Sequence, residues 1–331
     1  MIIEQRAYAR AGLLGNPSDG YFGKTISIIV RNFSANVSLY ESPELHIEPQ
    51  EEDLHVYRNI YHLVESVGLT GYYGGARLLK AAIKKFFEYC TRQGHTFSHH
   101  NFTIRYRSSI PRQVGLAGSS AIITAAMRAL MRFYDIDIPV EILPNIVLSA
   151  ETDELGINAG LQDRVVQAYE GCVYMDFDRA LMEQRNYGRY EQMNLSHLPK
   201  LYIAYRTDLS KESGKVLNTI KARWEEGDEE VVNTLNRIAC IAEEGRDAIQ
   251  RKHYKKLHRL MDENFDCRAR IMEITDRNME LIKTARGCGA SAKFTGSGGS
   301  IIGIYKDDEM LNRLAVELKK VNARVIKPYI Q

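Results

Sequence analysis

The sequence predicts a protein of mixed α and β structure that is larger than one ordinary domain. Its 331 residues exceed the usual size of a single domain, and 44% of them are hydrophobic, enough to bury a substantial core. Strand-like segments rich in Ile, Val and Ser alternate with segments whose apolar residues recur at helical spacing. These observations predict two domains or one large α/β unit.

The composition argues against several classes of function. The net charge of +2 is too small for a surface that binds nucleic acid or another polyanion. The five cysteines are an odd number and form no Cys-x-x-Cys pair, which is typical of a reduced cytosolic protein. No apolar run approaches the ~20 residues of a membrane span, and the first residues lack the apolar core of a signal peptide. We therefore expect a cytoplasmic protein that binds neither nucleic acid nor membrane.

The elements are predicted from hydrophobic spacing and from turn residues. In chain order they are strands over 25–30 and 35–40 separated by Asn32-Phe33, a short strand over 45–47, a helix from Leu79 to about Gly94, a strand over 102–107, a helix over 139–154, β structure over 165–175, a linker over 179–199, a strand over 201–205, helices with apolar faces over 231–242 and 257–265, a β-turn-β unit over 293–305, a helix over 309–320 and a strand over 324–326. We expect an N-terminal domain over 1–190 and a C-terminal domain over 191–331.

The segment 110–121 is the most informative part of the chain. Its proline and glycines exclude a helix, whereas the apolar residues Ile122, Ala126 and Ala129 recur at helical spacing. The start of a helix behind a glycine loop offers unpaired N–H groups and a positive dipole to a phosphate. The predicted phosphate cradle consists of Gly115, Leu116, Ala117, Gly118, Ser119, Ser120 and Ala121. From the residues alone, an ordinary loop with a helix cap fits equally well.

Polar residues near the N-terminus and in the middle of the chain are suited to binding and chemistry. Arg10 precedes a glycine-containing loop in which Asn16 and Asp19 either stabilise turns or bind a polar ligand. Asp163 is expected just before a strand, where a carboxylate can orient a hydroxyl group or accept its proton. Glu151 is expected at the end of a helix, where a carboxylate is ordinarily solvated.

A last segment of interest lies between the two strands of the predicted β-turn-β unit. It reads Gly296-Ser297-Gly298-Gly299, and its residues alone fit a tight hairpin.

In their order along the chain, these segments resemble the three motifs of the GHMP kinases. The second motif of that family runs Pro-x-x-x-Gly-Leu-x-Ser-Ser-Ala, and this chain is one residue longer between Leu116 and Ser119. The resemblance covers essentially all 331 residues and includes the segments 4–10 and 71–75. It implies an α+β chain with the two-domain GHMP kinase fold, which has a ribosomal protein S5 domain 2-like N-terminal domain and a ferredoxin-like C-terminal domain.

Within the family the chain is most similar to the glucuronokinases, which phosphorylate the anomeric hydroxyl of D-glucuronic acid. The resemblance therefore implies a phosphotransferase that uses ATP and Mg²⁺ and takes a sugar acid as substrate. It implies that the cradle holds the ATP phosphates, that Ser120 and Glu151 bind the metal, and that Asp163 and Arg10 are catalytic. It also implies a substrate site made of Arg6, Asn16, Asp19, Tyr21, Gly296, Ser297 and Gly298. Asn-Pro stands where galactose-binding relatives have Glu-His, so galactose is not the expected sugar.

A uronic acid needs a partner for its carboxylate, and a guanidinium fits best. Arg6, Arg112 and Arg164 all lie near the motifs, and the sequence does not choose among them. We hypothesise Arg6, because strand alternation would place it on the same face as Arg10.

Two alternatives remain open. One is another GHMP sugar kinase, for galacturonate, arabinose or a heptose phosphate. The other is a non-catalytic sugar-sensing relative, against which the complete set of Arg10, Ser120, Glu151 and Asp163 argues.

Overall fold

The fold is described by a computed structural model for residues 2–49, 75–97, 100–208 and 216–331, with backbone alone for 216–219. Residues 71–74 of the segment 71–75 lie outside the described ranges. The chain divides into two compact units, and both units draw on separate stretches of sequence. The first unit comprises residues 1–9, 33–110 and 117–159, and the second comprises residues 10–32, 111–116 and 160–331. The predicted division at residue 190 stays a prediction.

The first 159 residues contain these described elements in chain order: β1 (Ile2–Leu14), a 3₁₀ turn (Ser18–Tyr21), β2 (Lys24–Ser42), β3 (His46–Ile47), α1 (Gly75–Arg92), β4 (Asn101–Ser108), α2 (Gly118–Tyr134) and α3 (Leu143–Thr152). In the first unit β2 pairs antiparallel with β4, from Ala35 opposite Ser108 to Ser42 opposite Asn101. The short β3 pairs parallel with β4, with His46 opposite Thr103. The helices α1, α2 and α3 contact one another, so their apolar faces form the helical layer of this unit.

The remaining described elements are α4 (Gln162–Tyr169), β5 (Cys172–Asp176), α5 (Arg179–Arg185), β6 (Arg189–Gln192), a 3₁₀ turn (Leu195–His197), β7 (Leu201–Arg206), α6 (Val216–Glu225), α7 (Glu229–Gln250), α8 (Tyr254–Ile271), α9 (Asp276–Gly287), β8 (Lys293–Phe294), β9 (Ser300–Ile304), α10 (Asp308–Lys320) and β10 (Ala323–Ile326).

The second unit contains two sets of paired strands. The first half of β2 pairs antiparallel with β5, with Lys24 opposite Asp176, and β5 pairs antiparallel with β6. A separate antiparallel sheet has the order β10-β7-β9-β8. One face of that sheet is buried against helices in a core that includes Tyr202, Phe265, Leu281, Ile301 and Leu314.

Most predicted elements are confirmed, but β2 is one strand where two were expected. Asn32 does not turn the chain, because its side chain is engaged by the C-terminal residues. Its Nδ2 donates to the carbonyl of Lys327 at 3.1 Å and its Oδ1 accepts from the amide of Tyr329 at 2.8 Å. The strand therefore continues and pairs with different partners along its two halves.

The β structure expected over 165–175 is wrong for its first part, and so is the expected place of Asp163 just before a strand. Residues 162–169 form α4, with Asp163 in its first turn, and the strand begins only at Cys172. The helix begins where the carboxylate of Asp19 accepts a hydrogen bond from the backbone N–H of Gln162 at 3.3 Å. A capping group from a distant part of the chain cannot be recognised in the local sequence.

The linker expected over 179–199 also differs from the structure. The segment forms α5 and β6, and β6 pairs with β5 from Val173 opposite Gln192 to Asp176 opposite Arg189. Its polar composition reflects exposed positions rather than a lack of regular structure. Among the described residues, no helix combines the length and the apolar character that crossing a membrane requires.

Candidate active site

The loop between β4 and α2 has an unusual backbone conformation. Gln113, Gly115 and Ala117, every second residue, have positive φ angles of 57°, 69° and 59°. Left-handed values are unfavourable for side chains such as those of Gln and Ala, and they persist where the surroundings enforce them. Alternation of this kind turns successive N–H groups toward one side and forms a concave anion-binding nest. This backbone is compatible with the phosphate cradle expected at 115–121, which stays a prediction.

Hydrogen bonds to its carbonyl groups fix the first part of this loop. The carbonyl of Gly115 accepts from Nη1 of Arg10 at 2.7 Å and from the hydroxyl of Thr295 at 3.1 Å. The carbonyl of Leu116 accepts from the amide of Arg10 at 3.2 Å, and that of Val114 accepts from the hydroxyl of Ser300. Because the carbonyls of Val114, Gly115 and Leu116 all accept hydrogen bonds, these bonds fix the backbone conformation of the loop.

The helix after the loop begins without a capping side chain. α2 starts at Gly118, and its N-cap residue Ala117 offers no side-chain acceptor to the first amides. Ser120 is buried in the first turn, and its hydroxyl donates to the carbonyl of Ala117 at 3.2 Å. Ser119 is half-buried and Ala121 is buried. The positive end of a helix of 17 residues thus follows directly on the nest.

Glu151 lies in the last turn of α3, as expected for a helix end, but it is buried rather than solvated. α3 contacts α2, the helix that carries Ser120. In the part of the chain that the structure describes, no three His, Cys, Asp or Glu side chains form a metal site by themselves. One carboxylate and one hydroxyl oxygen suit Mg²⁺, which keeps several waters and completes its shell with substrate phosphates. The donor set therefore fits a metal that arrives with a nucleotide.

Arg10 and Asp163 form a buried ion pair. Nε and Nη2 of Arg10 each donate to a different oxygen of Asp163, the second at 2.7 Å, and Nη1 of Arg164 lies 3.3 Å from the same carboxylate. Arg10 is only 5% exposed. Burial alone would raise the pKa of Asp163, but Arg10 and Arg164 outweigh it and hold that pKa below its ordinary value. The bidentate geometry fixes the orientation of the carboxylate.

Asp19 is a second buried carboxylate beside this pair. Its oxygens accept from the backbone N–H and from Nε2 of Gln162, at 3.3 and 2.9 Å. Burial, and then the charge of Asp163, raise the pKa of Asp19 to about 6. A Cβ atom on Gly160 would clash with this carboxylate, so only glycine fits there. Tyr21 lies close enough that burial and the charge of Asp19 raise its pKa to about 12.

Asn16 is buried, and both ends of its side-chain amide are engaged within the protein. Its Oδ1 accepts from Nζ of Lys293, and its Nδ2 donates to the carbonyl of Phe294 at 3.3 Å. Its own carbonyl accepts from Nδ2 of Asn264 at 3.2 Å. These contacts connect the loop after β1 to α8 and β8.

The glycine-rich loop is the turn of the hairpin formed by β8 and β9, as predicted. A Cβ atom at Gly296 would lie 2.5 Å from the carbonyl oxygen of Gly115 and 2.9 Å from Nη1 of Arg10. The carbonyls of Gly296 and Ser297 accept from the guanidinium of Arg268 at 2.7 and 3.4 Å. The glycine-rich loop and the first part of the phosphate loop therefore lie against each other inside the second unit.

The structure brings many of the predicted residues together. Arg10 contacts Asp163, Gly115 and Thr295, and the other predicted residues of the second unit are Asn16, Asp19, Tyr21, Leu116, Gly296, Ser297 and Gly298. Those of the first unit are Arg6, Ala117, Gly118, Ser119, Ser120, Ala121 and Glu151.

The alternation argument for Arg6 is not confirmed. Arg6 is exposed, and its Nε donates to Oδ1 of Asn36 at 2.6 Å. Beyond Ala9 every residue of β1 is buried, so inside and outside positions no longer alternate there. The proposed role of Arg6 stays a prediction.

The sequence analysis missed Lys293, Arg268, Asn264 and Gln162. Lys293 carried a signal, because a lysine between apolar residues in a strand next to a glycine loop is unusual for a buried sheet. The other three lie on helices of ordinary composition, where no pattern distinguishes them.

The chain is similar to known proteins along most of its length. The family description "GHMP kinases N terminal domain" matches residues 77–171, and "GHMP kinases C terminal" matches residues 246–324. Glucuronokinase 1 of Arabidopsis thaliana is 45% identical over 306 residues, which are 91% of this chain and 84% of that protein. The chain belongs to the GHMP kinase family.

Two further relatives agree with this assignment. Probable glucuronokinase 2 of Arabidopsis thaliana is 42% identical over 334 residues, 99% of this GHMP kinase and 91% of the relative. The crystal structure of Lactococcus lactis galactokinase complexed with galactose superposes with a TM-score of 0.77 at 14% identity, covering 99% of this chain and 93% of that one. At that identity the likeness concerns the fold alone, which is the two-domain GHMP kinase fold.

Proposed function

We propose that this GHMP kinase is an ATP-dependent sugar 1-kinase that phosphorylates the anomeric hydroxyl of D-glucuronic acid and releases glucuronate 1-phosphate and ADP. The observation that carries the proposal is the buried Arg10–Asp163 pair, which contacts both Gly115 of the phosphate loop and Thr295 at the glycine-rich loop. The glucuronokinases at 45% and 42% identity support the choice of substrate.

Phosphoryl transfer depends mainly on in-line positioning and on stabilisation of charge. The nest at 113–117 and the start of α2 supply N–H groups for the ATP phosphates. Ser120 and Glu151 would hold Mg²⁺, which neutralises the phosphate oxygens when it is bound. Arg10 carries the positive charge that faces the moving phosphoryl group.

Asp163 acts on the sugar hydroxyl. Two of its lone-pair positions are taken by Arg10, and a carboxylate has room for about four hydrogen bonds, so it can still accept from a hydroxyl. Its lowered pKa makes it a weak proton acceptor in the ground state. We therefore assign it first an orienting role, with proton transfer late in the reaction, as a loose transition state permits.

The remaining substrate contacts are assigned by role. Asp19 and Tyr21 bind sugar hydroxyls, Arg6 binds the uronate carboxylate, and Gly296, Ser297 and Gly298 cover the reacting groups. Asn16 contributes through its place beside Lys293, because both ends of its amide already have partners.

The proposal is tested by measuring ADP release from ATP and Mg²⁺ with a panel of sugars: glucuronate, galacturonate, arabinose, glucose and a heptose phosphate. We expect glucuronate to give the highest kcat/KM and the product to carry its phosphate on the anomeric oxygen. Preference for another member of the panel would refute the proposed substrate while keeping the kinase assignment. If no sugar of the panel caused ADP release, the proposed activity would be refuted.

A further inference from the structure

Two fully buried cations lie behind the glycine-rich loop. Lys293 is 1% exposed and Arg268 is 3% exposed. Nζ of Lys293 donates to the carbonyls of Gly12 and Phe294, at 2.9 and 2.8 Å, and to Oδ1 of Asn16. Within the described ranges neither cation forms an ion pair, so both are bound by neutral groups alone.

Among the described residues, the charges buried directly behind this loop do not balance. The cations are Arg10, Arg268 and Lys293, and the carboxylates beside them are Asp19 and Asp163. A buried charge without a counter-charge destabilises the folded protein even when neutral groups solvate it. Burial and the neighbouring Arg10 lower the pKa of Arg268 to about 10, and burial, Arg268 and Arg10 lower that of Lys293. An anion placed beside this cluster would relieve the excess of positive charge.

Three successive peptide units of the glycine-rich loop, from Thr295 to Gly298, have their carbonyls bound on the same side. The carbonyl of Thr295 accepts from the amide of Gly12 at 2.8 Å and from Nη1 of Arg10 at 3.0 Å. The next two carbonyls accept from Arg268. In a planar trans peptide the N–H points opposite to the carbonyl, so the amides of residues 296–298 point away from these cations.

Those three amides have no acceptor in the described part of the chain, unlike their neighbours. The amide of Thr295 donates to the carbonyl of Ser300 at 3.1 Å, and that of Gly299 donates to Oδ1 of Asn278 at 3.0 Å. Gly115 packs beside this turn, since a Cβ on it would be 2.8 Å from the carbonyl oxygen of Gly298 and 3.1 Å from the nitrogen of Ser297. Three consecutive N–H groups without an acceptor in the described residues are available to bind an anion beside the phosphate loop.

We propose that Arg268 and Lys293 are positioning residues that turn the glycine-rich loop into a binding site for the phosphoryl group in transfer. Arg268 binds the carbonyls of Gly296 and Ser297, so that the amides of 296–298 point toward the anion. Both cations raise the positive electrostatic potential at the place where the phosphoryl group would bind. This inference rests on the proposed kinase function. It adds two residues that do not touch the substrate.

The test compares the affinity of ADP–Mg²⁺ with and without aluminium fluoride, which mimics a phosphoryl group in transfer, by isothermal titration calorimetry. We expect aluminium fluoride to tighten ADP binding to the unmodified enzyme by about 10²-fold or more. In Arg268→Met and in Lys293→Met this gain should fall by about tenfold or more, while the affinity of ADP alone changes less than about threefold.

Arg246→Met is the matched control. Its guanidinium lies 4.9 Å from the ring centroid of Tyr174, as that of Arg268 lies 5.2 Å from the ring centroid of Phe294, but Arg246 is paired with Glu191 at 2.8 Å. This variant should keep the full fluoride-dependent gain. If Arg268→Met does not fold, Arg268→Lys keeps the charge and loses the two-pronged contact, and an intermediate loss of the gain is expected.

The outcomes separate the two proposals. An undiminished gain in both variants, or no gain in the unmodified enzyme, overturns this inference, and a lower melting temperature with the gain intact shows a structural role only. Because the binding assay needs no sugar, a gain that depends on both residues supports the inference even where glucuronate turnover is absent. If glucuronate is phosphorylated but neither substitution reduces the gain in ADP affinity caused by aluminium fluoride, the proposed function is supported and this inference is not.

Discussion

The substitution Asp163→Asn tests the candidate site most directly, because it removes one charge with little change in volume. In the structure both carboxylate oxygens accept from Arg10, and Arg164 lies 3.3 Å away. Asparagine offers one acceptor and places an NH₂ group against the guanidinium. Arg10 then keeps its bonds to the carbonyls of Gly115 and Thr295 but has lost its counter-charge.

The expected magnitudes follow from that geometry. Removing one partner of a buried ion pair costs about 3–5 kcal/mol of folding free energy, which corresponds to a fall in melting temperature on the order of 10 °C. Loss of the group that orients the hydroxyl and accepts its proton lowers kcat by about 10²–10⁴-fold. The affinity for ATP should change less than about threefold, because Asp163 does not belong to the phosphate cradle.

The assay is single-turnover phosphorylation at a temperature where thermal denaturation shows the variant to be folded, with ATP affinity measured separately by calorimetry. A double-mutant cycle with Arg10→Met separates the structural from the catalytic role. The double variant Arg10→Met/Asp163→Asn should recover part of the lost stability, since no unpaired charge remains in that pair, but none of the lost turnover. If Asp163→Asn kept more than about a tenth of the unmodified rate, or if the double variant recovered turnover, the assigned role would be wrong.

Three further outcomes are expected. Asp19 accepts one hydrogen bond from Gln162 on each oxygen, and protonation removes its charge and weakens one of these bonds; kcat/KM should therefore rise with pH through about 6, and a pH profile of Asp19→Asn should lack that rise. Arg6→Ala should lower kcat/KM for glucuronate by about 10–100-fold, the loss of a charge-assisted hydrogen bond, and an equal loss with glucose would show that Arg6 does not bind the carboxylate. Ser120→Ala and Glu151→Gln should each raise by about tenfold or more the Mg²⁺ concentration that gives half the maximal rate; an unchanged metal titration would remove them from the metal site.

Hydrophobic periodicity was sufficient to predict the elements that are stabilised by burial of one apolar face. The helices α1, α7, α8 and α10 and the β8–β9 hairpin lie where the spacing predicted them. The loop before α2 was also recognisable, because proline and glycines before a helical pattern are a local signal. The family resemblance supplied the roles of residues that no local pattern could assign.

Contacts between distant parts of the chain decided the rest. α4 begins under a cap provided by Asp19, 143 positions away, and Asn32 is held by residues almost 300 positions later. The left-handed conformations of Gln113 and Ala117 are imposed by their surroundings and contradict local preference. Lys293 and Arg268 become significant only when their contacts are known, those of Lys293 with the loop after β1 and those of Arg268 with the glycine-rich loop.

The contact between Lys293 and the loop after β1 has a consequence for biosynthesis. Nζ of Lys293 donates to the carbonyl of Gly12, which lies 281 positions earlier in the chain. The loop after β1 therefore cannot form this contact until residue 293 has been synthesised. Until that residue leaves the ribosome, Arg10 lacks the carbonyl of Thr295, and Asn16 lacks both its β8 partners. Such long-range closure is slow compared with helix formation. β1 therefore lacks these contacts until residue 293 has been synthesised, and during that interval it is exposed to aggregation.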